Sequence, residues 1–221
     1  MSILDPLSQH KHVFVAGLHR SGTSLLAELL GSLPEVSGFV NTDAPHNEGQ
    51  FLQTVFTPAR DYGGPGKFGF STEMHLTEVS PLFNEENRQR LIKEWYQYWD
   101  LSKTCLLEKS PPNLLKMRFL QAIFPNSYFI VIMRHPVANA YATSKWSGTK
   151  FRQLVKHWLV CHDIYRSDKP HLGKVYELKY ERFVQEPTDC FHGILNFIDL
   201  AQPLDRSEEH TSEFYRLSSA P

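Results

Sequence analysis

Apolar residues follow two rhythms along this chain. Lys174–Leu178 reads as one strand, and three further short runs, Val13–Ala16, Thr104–Glu108 and Tyr128–Met133, are apolar or nearly so and are bounded by polar or glycine residues. Such runs read as strands covered on both faces, as in a parallel sheet. Between them, apolar positions recur at helical spacing. A helix is predicted from Gly22 to Leu33, where Pro34 ends it, and another from Asn84 to Asp100 with Leu91, Trp95, Tyr98 and Trp99 on one broad face. That aromatic stripe reads as core. Further helices are predicted over Leu114–Phe124, from Pro136 onward, over Phe151–Tyr165 and over Thr188–Leu200, the last with Phe191, Ile194, Leu195 and Ile198 as its apolar face. Glu35–His46 reads as irregular, and Phe51–Phe56 as a short helix. Asp61–Gly66, rich in glycine, reads as a flexible turn region, either a lid or substrate loop or a solvated loop.

Strands alternating with helices predict a three-layer α/β fold, a parallel sheet flanked by helices and joined by right-handed crossovers. Ligands of such sheets lie beyond the carboxyl ends of the strands. Arg20, Lys109 and Arg134 each stand just past the end of a predicted strand, so the topology gathers three cations at one place.

Composition narrows this picture by exclusion. The 221 residues suit one domain, and neither repeats nor low-complexity segments occur. The net charge of -1 offers no global basic field for nucleic acid. Three cysteines, Cys105, Cys161 and Cys190, are widely spaced and read as reduced residues of a cytoplasmic protein. Eleven histidines are many, yet no paired Cys/His spacing is present, and no metal site is expected. No apolar run approaches the ~20 residues of a membrane span, and Met1–Lys11 lacks the apolar centre of a signal peptide.

The candidate chemistry begins at Gly17-Leu18-His19-Arg20-Ser21-Gly22-Thr23-Ser24-Leu25. A strand, a glycine-bracketed loop and a helix start form a phosphate cradle, because helix N-terminal N–H groups and the helix dipole favour an anion. The nucleotide-hydrolase loop G-x-x-x-x-G-K-[ST] is not reproduced, since Thr23 stands where its lysine belongs and the positive charge comes earlier, at Arg20. Arg20-Ser21-Gly22-Thr23-Ser24-Leu25 instead resembles the 5′-phosphosulfate loop of the sulfotransferases, [KR]-x-G-T-[TS]-[LW]. Those enzymes use 3′-phosphoadenylyl sulfate (PAPS) as donor on a P-loop nucleotide-kinase-like fold. The motifs sit nearest to the tyrosylprotein and bacterial-type branch.

The resemblance, which covers roughly Val13–Leu200, implies roles for further residues. Ile132-Met133-Arg134-His135-Pro136 is similar to the region where an arginine binds the donor's 3′-phosphate. Arginine suits this because its planar fork grips phosphate with two hydrogen bonds. Ala142 stands where the family has a serine, and Thr143 or Ser144 would supply the hydroxyl instead. Glu108-Lys109-Ser110-Pro111 resembles a Lys-x-Pro element whose lysine meets the leaving bridge oxygen, a device aimed at developing charge. His46-Asn47-Glu48-Gly49-Gln50 resembles a family segment and makes Glu48 the expected base, with His46 and Asp43 as alternatives. Tyr180-Glu181-Arg182-Phe183 resembles a segment whose tyrosine holds the adenine.

The implied activity is sulfuryl transfer from PAPS to an acceptor hydroxyl on a sugar, a tyrosine or a small alcohol, without a metal. A P-loop nucleotide or small-molecule kinase is the first alternative, opposed by the missing loop lysine and by the lack of a clear Mg²⁺-binding aspartate. A non-catalytic nucleotide-binding module is the second, and Ala142 favours it. The expected location is cytoplasmic, with a lumenal fragment of a Golgi-anchored enzyme as the alternative. Residues 1–205 are expected to form the domain, truncated at its C-terminus. Arg206–Pro221 is expected to be a non-native or disordered tail, because Arg206–Glu213 is polar, lacks a period and resembles the in-frame translation of a sequencing adapter.

Overall fold

The computed structural model describes residues 4–200, so the expected tail lies outside the described residues. The chain runs through α1 (Leu4–Gln9), β1 (Lys11–Gly17), α2 (Thr23–Gly31), β2 (Val36–Gly38), α3 (Glu85–Tyr96), β3 (Cys105–Lys109), α4 (Met117–Ile123), β4 (Ser127–Met133), α5 (Pro136–Ser147), α6 (Phe151–Asp168), β5 (Val175–Lys179), α7 (Tyr180–Gln185) and α8 (Pro187–Phe197). All strand pairs are parallel, in the order β2-β3-β1-β4-β5. Among the described residues, no helix is long and apolar enough to cross a membrane.

Alternation within each strand divides the core in two. Val13 and Val15 of β1 face α2 and α8, packing with Leu26, Leu30, Phe191 and Ile194. Phe14 and Ala16 face the opposite side, with Trp95 of α3 and Phe119 and Leu120 of α4. Both faces being covered explains the unbroken apolar runs. Trp95 is fully buried and stacks on Phe124 at 5.7 Å between centroids. Removing such a side chain typically costs about 3–5 kcal/mol. Tyr98 departs from the expected core face: α3 ends at Tyr96, and Tyr98 is exposed.

Several local expectations need correction. Glu35–His46 contains a strand, β2, whose three residues pair in register Val36↔Cys105 to Gly38↔Leu107. It is too short to show a period. Phe51–Phe56 is not a helix; only a 3-10 turn at Gly49–Phe51 forms. The Gln53 side-chain carbonyl accepts the N–H groups of Val55 (2.7 Å) and Phe56 (2.8 Å), which ends the helical ladder. Leu114–Phe124 divides into a 3-10 turn over Pro111–Leu115 and then α4. The glycine-rich turn is packed in part, with Asp61 and Gly63 exposed. Gly64 and Gly66 are buried, and the Thr149 hydroxyl donates to the Pro65 carbonyl at 3.3 Å.

The sheet positions the site. After β3 the chain crosses β1 to reach β4, so the direction of the strand order reverses at β1. Register puts Val15 beside Lys109, Gly17 beside Ile132 and Met133 beside Lys179. The phosphate loop, Lys109, Arg134 and Tyr180 therefore leave the sheet at one carboxyl edge, the crevice where α/β sheets bind ligands.

Candidate active site

The loop between β1 and α2 is held from beneath. Asn139 Nδ2 donates to the His19 carbonyl at 2.9 Å, and Arg134 Nη1 to the Arg20 carbonyl at 2.9 Å. Arg20 takes a positive φ of 65°, a conformation that costs a non-glycine residue on the order of 1 kcal/mol. Gly22 follows with φ 100°, and a Cβ there would lie 2.7 Å from the Tyr180 ring. Gly22 caps α2 without a side-chain hydrogen bond. The first N–H groups of the helix are thus left for a ligand, in the field of the helix dipole.

A cleft of about 540 Å³ opens over this helix start, lined by residues that include Arg20, Gly22, Thr23, Ser24, Leu25, Glu48, Arg134 and Tyr180. Most of the expected donor-binding residues therefore share one wall. At one end the Arg134 guanidinium lies over the Tyr180 ring, 4.4 Å from its centroid, as the β4–β5 register requires. Ser21 and Thr143 are placed elsewhere. The Ser21 hydroxyl is buried and donates to the Leu18 carbonyl at 2.5 Å, and the Thr143 hydroxyl is buried and donates to the His19 carbonyl at 3.4 Å. Both brace the loop from within and neither lines the cleft. Ser144 spends its hydroxyl on the Tyr141 carbonyl.

Glu48 and Lys109, on segments far apart in sequence, meet. Lys109 Nζ donates to Glu48 Oε1 at 3.1 Å and to the His46 carbonyl at 3.3 Å. Gln50 Nε2 donates to Glu48 Oε2 at 2.6 Å. Glu48 lines the main cleft, while Lys109 lines a second cleft of about 440 Å³ beside β2. His46 and Ser24 line both, so the ion pair stands at the junction. His46 and Asn47 carry positive φ values of 55° and 50°, and this tight turn separates the two clefts. Asp43 is exposed and lines neither.

Residues that sequence reasoning passed over build the support. Glu108, fully buried, accepts from the Gly49 N–H at 2.9 Å, from the Ser110 hydroxyl at 2.6 Å and from Asn113 Nδ2. Burial pushes its pKa up, opposed by those three donors. Trp95 Nε1 donates to the Gly49 carbonyl at 3.0 Å. Gly49 is thereby fixed on both sides, and with it the neighbouring Glu48. Gly49 also has no room for a Cβ, which would lie 2.7 Å from Glu108. On α5, Asn139 and Thr143 stand four residues apart on one face, a spacing that could have signalled a shared partner. His19 forms the cleft wall beside Trp146, with its pKa lowered to about 3 by burial and then by His157, Lys109 and His46.

Comparison with known proteins gives the family and the fold. A family model described as "Sulfotransferase family" matches residues 12–203. The chain is 24% identical to protein-tyrosine sulfotransferase 2 of Gallus gallus, over 86% of this chain and 51% of that protein. It is also 24% identical to an uncharacterized protein of Aquifex aeolicus (strain VF5), over 92% of this chain and 27% of that one. The chain thus spans about half and about a quarter of these two relatives. Sulfotransferase STF9 of Mycobacterium avium shares the fold, with TM-score 0.60 and 16% identity over 99% of this chain and 71% of that one. With the family's match running from the first strand through the last helix around this loop and cleft, the chain belongs to the sulfotransferase family.

Proposed function

We propose that the main cleft binds PAPS and transfers its sulfuryl group to an acceptor hydroxyl. The observation that carries this reading is the buried Glu48–Lys109 pair facing the open N-terminus of α2. The loop N–H groups, Arg20, Thr23, Ser24 and Leu25 would hold the 5′-phosphosulfate. Arg134 would take the 3′-phosphate, and Tyr180, already fixed against Arg134, would flank the adenine. Ser21 and Thr143 act through the loop, since their hydroxyls are committed to its carbonyls.

The chemistry asks for one base and one cation. Glu48 accepts the proton of the acceptor hydroxyl as its oxygen attacks sulfur. The acceptor O–S bond forms while the bridging S–O bond breaks, and the departing phosphate oxygen keeps the electron pair. Lys109 and the helix start meet that developing charge. Positioning and electrostatics suffice for such an in-line transfer, as they do for phosphoryl transfer. The acceptor class remains a sugar, a tyrosine or a small alcohol in this reading, and the cytoplasm is the proposed location.

The test is direct. Calorimetry should show binding of adenosine 3′,5′-bisphosphate, the desulfated donor, and radiolabel from PAPS should appear in an acceptor. Binding of ATP with Mg²⁺ in preference to the bisphosphate would overturn the reading in favour of a kinase.

A further inference from the structure

We propose that Gln50 is the positioning residue for Glu48: its side-chain amide holds the carboxylate in one orientation beside Lys109. This rests on the sulfuryl-transfer reading of the main cleft, in which Glu48 is the base.

Gln50 is 3% exposed, and each polar group it carries is bonded. The Ala59 N–H, which can only donate, meets Gln50 Oε1 at 2.9 Å. The Glu48 carboxylate, which as an ion can only accept, meets Gln50 Nε2 at 2.6 Å. These two partners together fix the direction of the amide. Turned over, it would set N–H against N–H at Ala59 and carbonyl against carboxylate at Glu48, with both buried bonds lost. The amide therefore offers Glu48 a donor and nothing else.

The backbone of this turn is held without that bond. Gly49 is fixed by Glu108 and Trp95, the Gln50 N–H donates to the Ser110 hydroxyl at 3.2 Å, and the Gln50 carbonyl accepts from Gln53 Nε2 at 3.0 Å. What the amide adds is a hold on the carboxylate itself. Lys109 reaches Oε1 and Gln50 reaches Oε2, so both oxygens are restrained. A neutral donor suits the second place. A further cation there would compete with the proton that the base must take up, whereas an amide orients the carboxylate and leaves its charge paired with Lys109. Glu108 of β3 and His46 of the turn are titratable neighbours of the pair, and Arg20 and Arg134 line the same cleft as Glu48.

The experiment uses the full chain and two variants. Gln50→Met removes both amide bonds. Gln50→Glu keeps the acceptor for Ala59 but donates to Glu48 only when protonated. Gln50→Met should lower kcat about 10–100-fold, with acceptor KM and bisphosphate affinity within about twofold. The Gln50→Glu rate, as a fraction of the unsubstituted rate, should fall between about pH 5 and pH 8, because the introduced carboxyl loses its proton and repels Glu48. An amide that served the turn alone would not move that ratio with pH. If Gln50→Met does not fold, the Gln50→Glu ratio decides. Thermal melts of Glu48→Gln, Gln50→Met and the double variant give a readout without turnover, and the double should lose less than the sum of the two. An unchanged kcat in Gln50→Met, a pH-independent ratio or additive melting losses would overturn the role of Gln50. Absence of bisphosphate binding and of transfer in the unsubstituted chain, with melting losses still non-additive, would overturn the sulfuryl-transfer reading alone.

Discussion

Lys109 Nζ and Glu48 Oε1 stand 3.1 Å apart, with side chains 8% and 6% exposed, at the junction of two clefts. Each charge is tolerated at that depth because the other is present. Glu48→Gln or Lys109→Met alone should cost up to about 3–5 kcal/mol, since the remaining charge is buried without its partner. The double substitution should recover most of that loss. Urea denaturation of the four proteins measures the coupling, and additive losses would show that the pair contributes nothing jointly.

The same pair bears on turnover. Glu48→Gln should lower the transfer rate by about 10²–10⁴-fold, the usual worth of a general base, with little change in bisphosphate affinity. Lys109→Ala should also lower turnover, through loss of leaving-group stabilisation. Full activity in Glu48→Gln would move the base to His46, which lines both clefts.

Arg134 combines a bond to the Arg20 carbonyl with a face-on contact to Tyr180. Arg134→Ala should remove the preference for adenosine 3′,5′-bisphosphate over adenosine 5′-monophosphate. Arg134→Lys should restore it poorly, because an ammonium lacks the planar fork that stacks and pairs at once. Arg20→Ala should weaken the bisphosphate by about 1.5–3 kcal/mol, the worth of a hydrogen bond to a charged group. Calorimetry with the two nucleotides checks both.

Gly49 is gripped by Glu108 and Trp95, and a Cβ would lie 2.7 Å from the Glu108 carboxylate. Gly49→Ala should therefore lower stability by about 1–3 kcal/mol and reduce turnover by displacing Glu48. Thermal melts together with single-turnover rates measure the two effects. A variant with unchanged melting and unchanged rate would show that the Glu108 contact does not fix the turn.

His12, fully buried in β1, is held neutral, its pKa lowered to about 3 by burial and then by His10. His162 is likewise buried, with its pKa lowered to about 4. The unfolded chain takes up protons near pH 6.5 that the folded chain refuses, so stability is full above about pH 6.5 and falls as pH drops toward 4. Each such histidine adds up to about 1.4 kcal/mol per pH unit in that window. His12→Phe should flatten the slope of stability against pH between 6 and 4, measured by urea denaturation. An unchanged slope would mean that His12 takes up its proton without unfolding.

What the linear chain determined was the sheet and its cations. Three apolar runs marked β1, β3 and β4, because a strand buried on both faces is apolar nearly throughout, while the mixed run of β5 matches its half-exposed place at the sheet edge. Arg20, Lys109 and Arg134 stand at the ends of those strands or within three residues beyond them, and parallel topology alone sends such residues to one edge. The Arg20–Leu25 segment was legible for the same local reason: a loop and the helix start that follows it are contiguous in sequence.

Tertiary structure decided the rest, since pairing between distant segments leaves no local signature. The Glu48–Lys109 ion pair joins a strained turn to a strand end, and the turn's position depends on Glu108 and Trp95, read from sequence as strand and core. Ser21 and Thr143 kept the expected addresses but turned their hydroxyls inward, because buried loop carbonyls require donors. Asn139 and Trp146 belong to the site only because α5 packs beneath the loop, with its Asn139–Thr143–Trp146 face toward His19. Residue types and local spacing specify elements and their ends; which side chains meet across the crevice is set by packing between elements, where the free energy of burial is decided.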